Sequence, residues 1–211
     1  MKNINSHNEE QNNVVPARGK TQKGVSLIIS YLHDLVFLIA GVMLVFSLLF
    51  RVVVVSGPSM NNTLIDGDWI LLLGNILCGE PETGDIIVAS KKAYDDGTPI
   101  IKRVIATEGQ TVDIDFRAGV VYVDGKPLSE PYTLTPTNID EGVEFPIVVE
   151  SGCIFVMGDN RNLSKDSRST EIGLIDRREV LGKAIFLFFP GDPDGNTGSQ
   201  QRDLSRIGGV S

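Results

Sequence analysis

The hydrophobic positions of this chain fall into one long block followed by a series of short ones. Residues 35–50 are apolar or small throughout except Ser47, and residues 25–32 extend the block towards the N-terminus. A membrane-crossing helix needs about 20 apolar residues at about 1.5 Å rise each. The stretch from Tyr31 to Phe50 supplies them, with His33 and Asp34 near one interface. The block is longer than the apolar core of a cleavable leader, and no Ala-x-Ala-like site follows it, so residues 25–50 read as an uncleaved anchor. The alternative is a buried core helix, but so long an apolar segment would strain a small soluble domain.

Beyond the block the pattern shortens. Residues 68–73, 85–89 and 100–107 are compact apolar or β-branched runs between clusters of Gly, Pro and Asp, and they read as strands. Residues 111–115 alternate with a period of two, and residues 119–126 form a strand entering an Asp-Gly turn. Residues 153–157 and 184–189 complete the set. The polar, turn-rich stretch 127–144 is a loop-dominated excursion, and the Gly, Ser, Asp and Gln-rich residues 191–211 are a loose C-terminal tail. The predicted fold class is mainly β: a single N-terminal transmembrane helix followed by a β-rich domain over residues 51–190. Residues 1–24 are polar and expected to be disordered.

Charge gives the chain a direction. Before residue 25, Lys2, Arg18, Lys20 and Lys23 face only Glu9 and Glu10, whereas Arg51 to the C-terminus holds 15 basic and 24 acidic residues. The positive-inside rule therefore predicts a cytoplasmic N-terminus, a single pass through the cell membrane and an extracytoplasmic main domain. Arg51, at the outer edge, can snorkel to lipid head groups. So acidic a domain is a poor partner for nucleic acid. Cys78 and Cys153 lie on the same side in this topology and could pair, but they have no metal-ligand spacing.

The candidate chemistry starts from a shortage of histidine. The chain has two, His7 and His33, both upstream of the β-rich region. A Ser-His-Asp or Cys-His machine there would need an imidazole from elsewhere, which leaves Lys, Asp, Glu or Tyr as the general base. Ser59 follows Gly57-Pro58, a pair that bends the chain and exposes backbone. By itself that is an ordinary turn serine. Lys102 changes the reading, because it sits in an apolar run with Ile100, Ile101, Val104 and Ile105. On a strand it shares a face with Ile100 and Val104, with Arg103 pointing the other way. Burial disfavours an ammonium and lowers its pKa from about 10.4, enough to make a usable base. The plain alternative is a lysine snorkelling from an edge strand. The loop 158–168 then crowds Asp159, Asn160, Arg161, Ser164, Asp166, Ser167 and Arg168 after an apolar strand. A serine near a membrane face, a lysine in an apolar strand and a polar loop together suggest a serine–lysine hydrolase.

These segments resemble, in order and spacing, the boxes of bacterial type I signal peptidases. Ser56-Gly-Pro-Ser59-Met60 looks like the nucleophile box, Ile101-Lys102-Arg103 like the lysine box, and Gly158 to Arg168 like the C-terminal catalytic box. The resemblance spans about residues 35 to 190 and is nearest to the Gram-positive members. It implies that Ser59 is the nucleophile, Lys102 the general base and Ser164 the hydroxyl that holds the lysine amine, with Asp166 and Arg168 buttressing the loop. The Ser59 backbone N–H would form part of the oxyanion hole. Gly57 stands where some members carry a serine hydroxyl for the oxyanion, so this hole is expected to rely more on backbone. Asn62, and Glu108-Gly109-Gln110, also depart from the family pattern, away from the chemistry.

The resemblance further implies a membrane-bound endopeptidase that removes signal peptides from exported preproteins after small residues, through an acyl-enzyme. Met60 and nearby apolar residues would line shallow substrate subsites and rest on the membrane lipid. No metal or organic cofactor is implied. The competing readings are an anchored non-catalytic β-domain, and a serine–lysine protease with a different exported substrate. A sortase-like enzyme would need Cys and His together in the outer domain, and a self-cleaving repressor would need a DNA-binding module.

Overall fold

A computed structural model describes residues 20–192 and 202–210, with side chains from residue 28 onward. The chain divides into two compact units between Val45 and Phe46. The first is dominated by helix α1 (Lys20–Leu49), 30 residues long. Its stretch Ile28–Leu49 is 22 residues with mean hydropathy 2.3, long and apolar enough to cross a membrane, and none of it is buried against protein. Apolar side chains run all round it rather than along one stripe, as befits a helix whose surroundings are apolar. Two boundaries differ from expectation. Residues 20–24, assigned to the disordered tail, are helical, while residues 1–19 lie outside the described residues. Phe50 does not close the anchor but opens a strand, because Val52 to Val55 is a β-branched run that favours extended backbone.

The second unit is built from strands β1 (Phe50–Val54), β2 (Trp69–Gly74), β3 (Ile86–Ala89), β4 (Ile100–Thr107), β5 (Thr111–Asp115) and β6 (Val120–Val123). It continues with β7 (Lys126–Pro127), β8 (Ile147–Val148), β9 (Cys153–Met157), β10 (Ile175–Asp176), β11 (Val180–Phe189) and β12 (Gly208–Gly209). Among the described residues, one sheet runs β1-β2-β11-β3-β4-β9-β10 with β12 added to β11, and a second runs β7-β6-β5-β8. The chain is mainly β, as its alternating and apolar runs predict. Strands β1, β8, β10 and β12 and the first half of β11 escape the sequence pattern, because they are short or interrupted by Arg51, Gly182 and Lys183.

Burial explains the order of the large sheet. All four residues of β3 are buried, as a strand covered on both faces requires. β4 lies beside it and contributes to three apolar clusters in turn. Ile101 packs beside Met60, Leu64 and Val88; Ile100 and Val104 sit with Ile87 and Val156; Ile105 and Ala106 sit with Phe155 and the second sheet. A register shift between Val104 and Ala106 allows the last step, since a bulge bends its strand and re-aims its side chains. Phe155 is fully buried in the third cluster, and truncating such a ring to alanine costs about 3–5 kcal/mol.

Three further regions are more closely defined. The excursion 127–144 is irregular, as expected, but it is tied down: Glu130 and Thr137 receive the Arg161 guanidinium, and the Ile139 carbonyl receives that of Arg168. The C-terminal tail is not loose in its described part. Residues 204–206 form a turn capped by Asp203, and β12 pairs with Phe186 and Leu187 of β11. Cys78 and Cys153 are both free thiols.

Candidate active site

Ser59 is presented by the loop that joins β1 to β2. Its base is closed by Val55 N–H donating to the Asp68 carbonyl at 2.8 Å and Gly67 N–H donating to the Val55 carbonyl at 2.9 Å. Gly57 turns the chain with φ of +87°, where a side chain would be strained. Its N–H donates to Asp66 Oδ1 at 2.8 Å, so Gly57 shapes the turn without offering that amide to a substrate. The Ser59 N–H has no partner among the described residues. After Ser59 the chain makes a helical turn, with Leu64 N–H donating to the Met60 carbonyl at 2.9 Å. The Ser59 carbonyl accepts from Asn160 N–H at 3.0 Å, which docks the nucleophile loop onto the loop after β9.

Lys102 comes from the middle of β4, opposite Ile87. Its amine donates to Ser59 Oγ at 2.9 Å and to the Ile101 carbonyl at 3.0 Å. Burial lowers its pKa from 10.5 to about 8, a shift only partly offset by the nearby Asp166 and Glu141 carboxylates. Desolvation wins because the amine loses bulk water and gains no direct carboxylate contact. A lysine with pKa near 8 is neutral in about one molecule in ten at pH 7.

The loop after β9 is braced from within. Asp166 Oδ2 accepts from Gly158 N–H at 3.0 Å, while Asp166 Oδ1 accepts from Arg168 Nε at 2.8 Å. Arg168 Nη2 also reaches Asp166 Oδ2 at 2.9 Å and the Arg161 carbonyl at 2.7 Å. Asp166 and Arg168 are both fully buried, so the pair fixes the loop from inside. Ser164 is placed differently from expectation. Its hydroxyl is buried without a hydrogen-bond partner, while the amine it is expected to hold donates to Ser59 Oγ and the Ile101 carbonyl. It does lie close by: a Cβ on Gly158 would collide with both Ser164 Oγ and the Ser59 carbonyl. Glycine at 158 is what lets the two loops approach.

Met60 is also corrected in part. It is 1% exposed and belongs to the core, so it cannot rest on a lipid surface. It nevertheless lines a groove of about 280 Å³ that Ser59 and Lys102 share with Val53, Val88, Pro99 and Ile101. The strand pattern puts Arg103 on the opposite face from Lys102 and implies no role for it. The structure joins it to Asp159 through two hydrogen bonds of 2.8 Å, with the Tyr132 ring 4.0 Å from the guanidinium carbon. The signal was present in the sequence: two adjacent cations in an apolar strand require two separate solutions to burial. Glu130 and Arg161 were likewise missed as a pair, since they meet across the excursion.

A serine hydroxyl held by a buried, partly neutral lysine, in a domain without histidine, has the geometry of a serine–lysine hydrolase. The comparisons agree with that class. The signal peptidase, peptidase S26 family matches residues 28–189. A probable signal peptidase I-1 from Synechocystis sp. is 40% identical over 171 residues, covering 75% of this chain and 83% of the relative. A signal peptidase I from Bacillus licheniformis is 34% identical over 178 residues, covering 81% and 92% respectively. A crystal structure of a signal peptidase I from Enterococcus faecalis covers 49% of this chain and 96% of its own at 29% identity. Its TM-score of 0.41 is too low for that likeness to bear on the fold. The chain belongs to the signal peptidase family, peptidase S26. It is a peptidase, and therefore a hydrolase, with an N-terminal apolar helix suited to membrane anchoring.

Proposed function

We propose that this peptidase removes N-terminal signal peptides from exported preproteins, with Ser59 as nucleophile and Lys102 as general base. The observation that carries this reading is the 2.9 Å contact between the Lys102 amine and Ser59 Oγ, at a lysine whose pKa is lowered to about 8. Neutral Lys102 takes the Ser59 proton as Oγ attacks the carbonyl carbon of the scissile bond. The unpartnered Ser59 N–H faces the developing oxyanion. The resulting ammonium gives its proton to the leaving amine, leaving an ester on Ser59. Lys102 then takes a proton from water, which attacks the ester carbon; as the bond to Ser59 Oγ breaks, the ammonium returns that proton to Oγ, releasing the acid and restoring the serine.

The substrate is an extended peptide lying in the groove beside Ser59, with small side chains at the first and third positions before the cleaved bond. The groove, of about 280 Å³, is lined by Val53, Val88 and Ile101, which favours small apolar groups over large or charged ones. Asp166 and Arg168 keep the loop after β9 in place, and the unpartnered Ser164 hydroxyl is available to the amine once Ser59 is acylated. Anchoring by α1 in the cell membrane, with the N-terminus cytoplasmic and the catalytic domain extracytoplasmic, follows from the flanking charges. Lipid acyl chains cover the apolar helix.

The test is cleavage of a fluorogenic Ala-x-Ala peptide and of an intact preprotein by the full-length enzyme in detergent. Wild type should cut both after the small residue, and Ser59→Ala should cut neither. An acylating probe should label wild type and spare Ser59→Ala. Retained cleavage by Ser59→Ala, or no cleavage and no labelling by wild type, overturns the proposal.

A further inference from the structure

The loop that carries Ser59 is gripped by the far end of the chain, which the dyad does not use. Asp68 ends that loop and is fully buried. Its carboxylate accepts Ile65 N–H at 2.8 Å and Gly191 N–H at 2.7 Å. It also receives Arg206 Nη1 at 2.9 Å and Nη2 at 2.7 Å, one nitrogen on each oxygen. The same guanidinium reaches the Thr63 carbonyl at 3.2 Å. Thr63 in turn donates through Oγ1 to Asp159 at 2.5 Å. Arg206 thus ties the base of the nucleophile loop to its crown, four residues past Ser59.

The segment that delivers Arg206 is itself fixed. Asp203 accepts Ser205 N–H at 3.0 Å and caps the turn at 204–206. β12 extends the sheet beside Phe186 and Leu187, and Val210 packs against the cluster that holds Met60 and Leu64. On the other side, Gly191 lies so close that a Cβ there would collide with the Asp66 carbonyl. Two stretches of chain after β11 therefore converge on one loop.

We propose that residues 202–210 clamp the nucleophile loop and that Arg206 is a positioning residue for Ser59. The inference rests on Ser59 being the nucleophile. Its physical basis is the buried Asp68 carboxylate: a charge removed from water holds its place only when countered. The planar fork of a guanidinium counters it with a fixed geometry that a flexible ammonium does not reproduce. With Val55 and Asp68 pinned and Thr63 held, Ser59 has one position relative to Lys102, which arrives independently on β4. Releasing the clamp widens the distribution of Oγ–Nζ distances, and misplacement of about an ångström costs rate far more than binding.

The experiment uses the full-length enzyme in detergent, well below its unfolding temperature, and a short peptide substrate. Arg206→Ala should lower kcat by about tenfold to a hundredfold, with KM changed by less than about twofold. The acidic limb of its pH profile should keep its midpoint, since Lys102 is untouched. Arg206→Lys should recover part of the loss. The clamp is overturned if Arg206→Ala keeps its kcat per folded molecule while only its unfolding temperature falls, or if Arg206→Lys is no better than Arg206→Ala. Should Arg206→Ala fail to fold, Asp203→Ala loosens the same turn while keeping Arg206. It should lower kcat at constant KM, and an unchanged kcat overturns the proposal. A wrong assignment of the nucleophile would appear separately, as retained activity in Ser59→Ala.

Discussion

Arg103 and Asp159, 56 positions apart, meet through two parallel hydrogen bonds of 2.8 Å with almost no solvent access to either side chain. Arg103 is the immediate neighbour of Lys102, and Asp159 opens the loop that docks on Ser59. The ion pair therefore joins the strand bearing the base to the loop facing the nucleophile. Its worth lies in geometry, since a buried pair contributes little net stability over an apolar substitute but costs much when only one partner is removed.

Asp159→Ala leaves the Arg103 guanidinium buried and uncompensated. It should destabilise the domain by about 3–5 kcal/mol, measured by denaturant unfolding. The Arg103→Ala/Asp159→Ala double variant should lose less than the sum of the single losses. A strictly additive loss would show that the two side chains are not coupled.

Ser59→Ala and Lys102→Ala should each abolish peptide cleavage, and the double variant should fall no further. Nucleophile and base act as one unit, so removing the second member has nothing left to remove. Multiplying losses would point to a different base.

The pKa of Lys102 has two consequences. For activity, the acidic limb of kcat/KM should have its midpoint near pH 8, with about a tenfold loss for each unit below it. For stability the sign is reversed from that of a salt-bridged lysine. The folded pKa of about 8 lies below the ordinary 10.5, so below pH 8 the native state must bury a charge that the unfolded chain keeps in water. Lys102→Met should thus stabilise the protein by about 1–3 kcal/mol at pH 7. The gain should fade as pH rises from about 8 to 10.5. Equal stability of both proteins at pH 7 would contradict a buried amine.

Four charged groups bear on the lysine: Asp166, Glu141 and Asp159 raise its pKa, and Arg168 lowers it. Asp159 and Asp166 are committed to guanidinium pairs with both oxygens. Glu141 lies 3.4 Å from Arg168 through one oxygen, and its other oxygen is unpartnered. Glu141→Gln should therefore move the acidic limb to lower pH, read from full pH–rate profiles. Glu171→Gln, at an exposed surface pair with Lys165, should leave the midpoint in place. A shift towards higher pH in Glu141→Gln would refute the electrostatic assignment.

What the sequence by itself determined is local in origin. The anchor is legible because about 20 consecutive apolar residues satisfy a length requirement that needs no partner. The strand at 111–115 is legible because its side chains follow the period of extended backbone, and those at 100–107 and 153–157 because they are short apolar, β-branched runs of strand length. The absence of histidine after residue 33 restricts the base before any coordinates are known. Tertiary structure decided the rest, since each remaining feature depends on segments distant in sequence. Lys102 finds Ser59 across 43 residues, and Arg206 finds Asp68 across 138. Ser164 illustrates the limit: its position in a polar loop suggests a partner for the amine, yet its hydroxyl is buried without a hydrogen bond while the amine donates to Ser59 Oγ and the Ile101 carbonyl. Pattern records which side chains must leave water; which of them then meet is set by sheet order and by the closure of loops over the core.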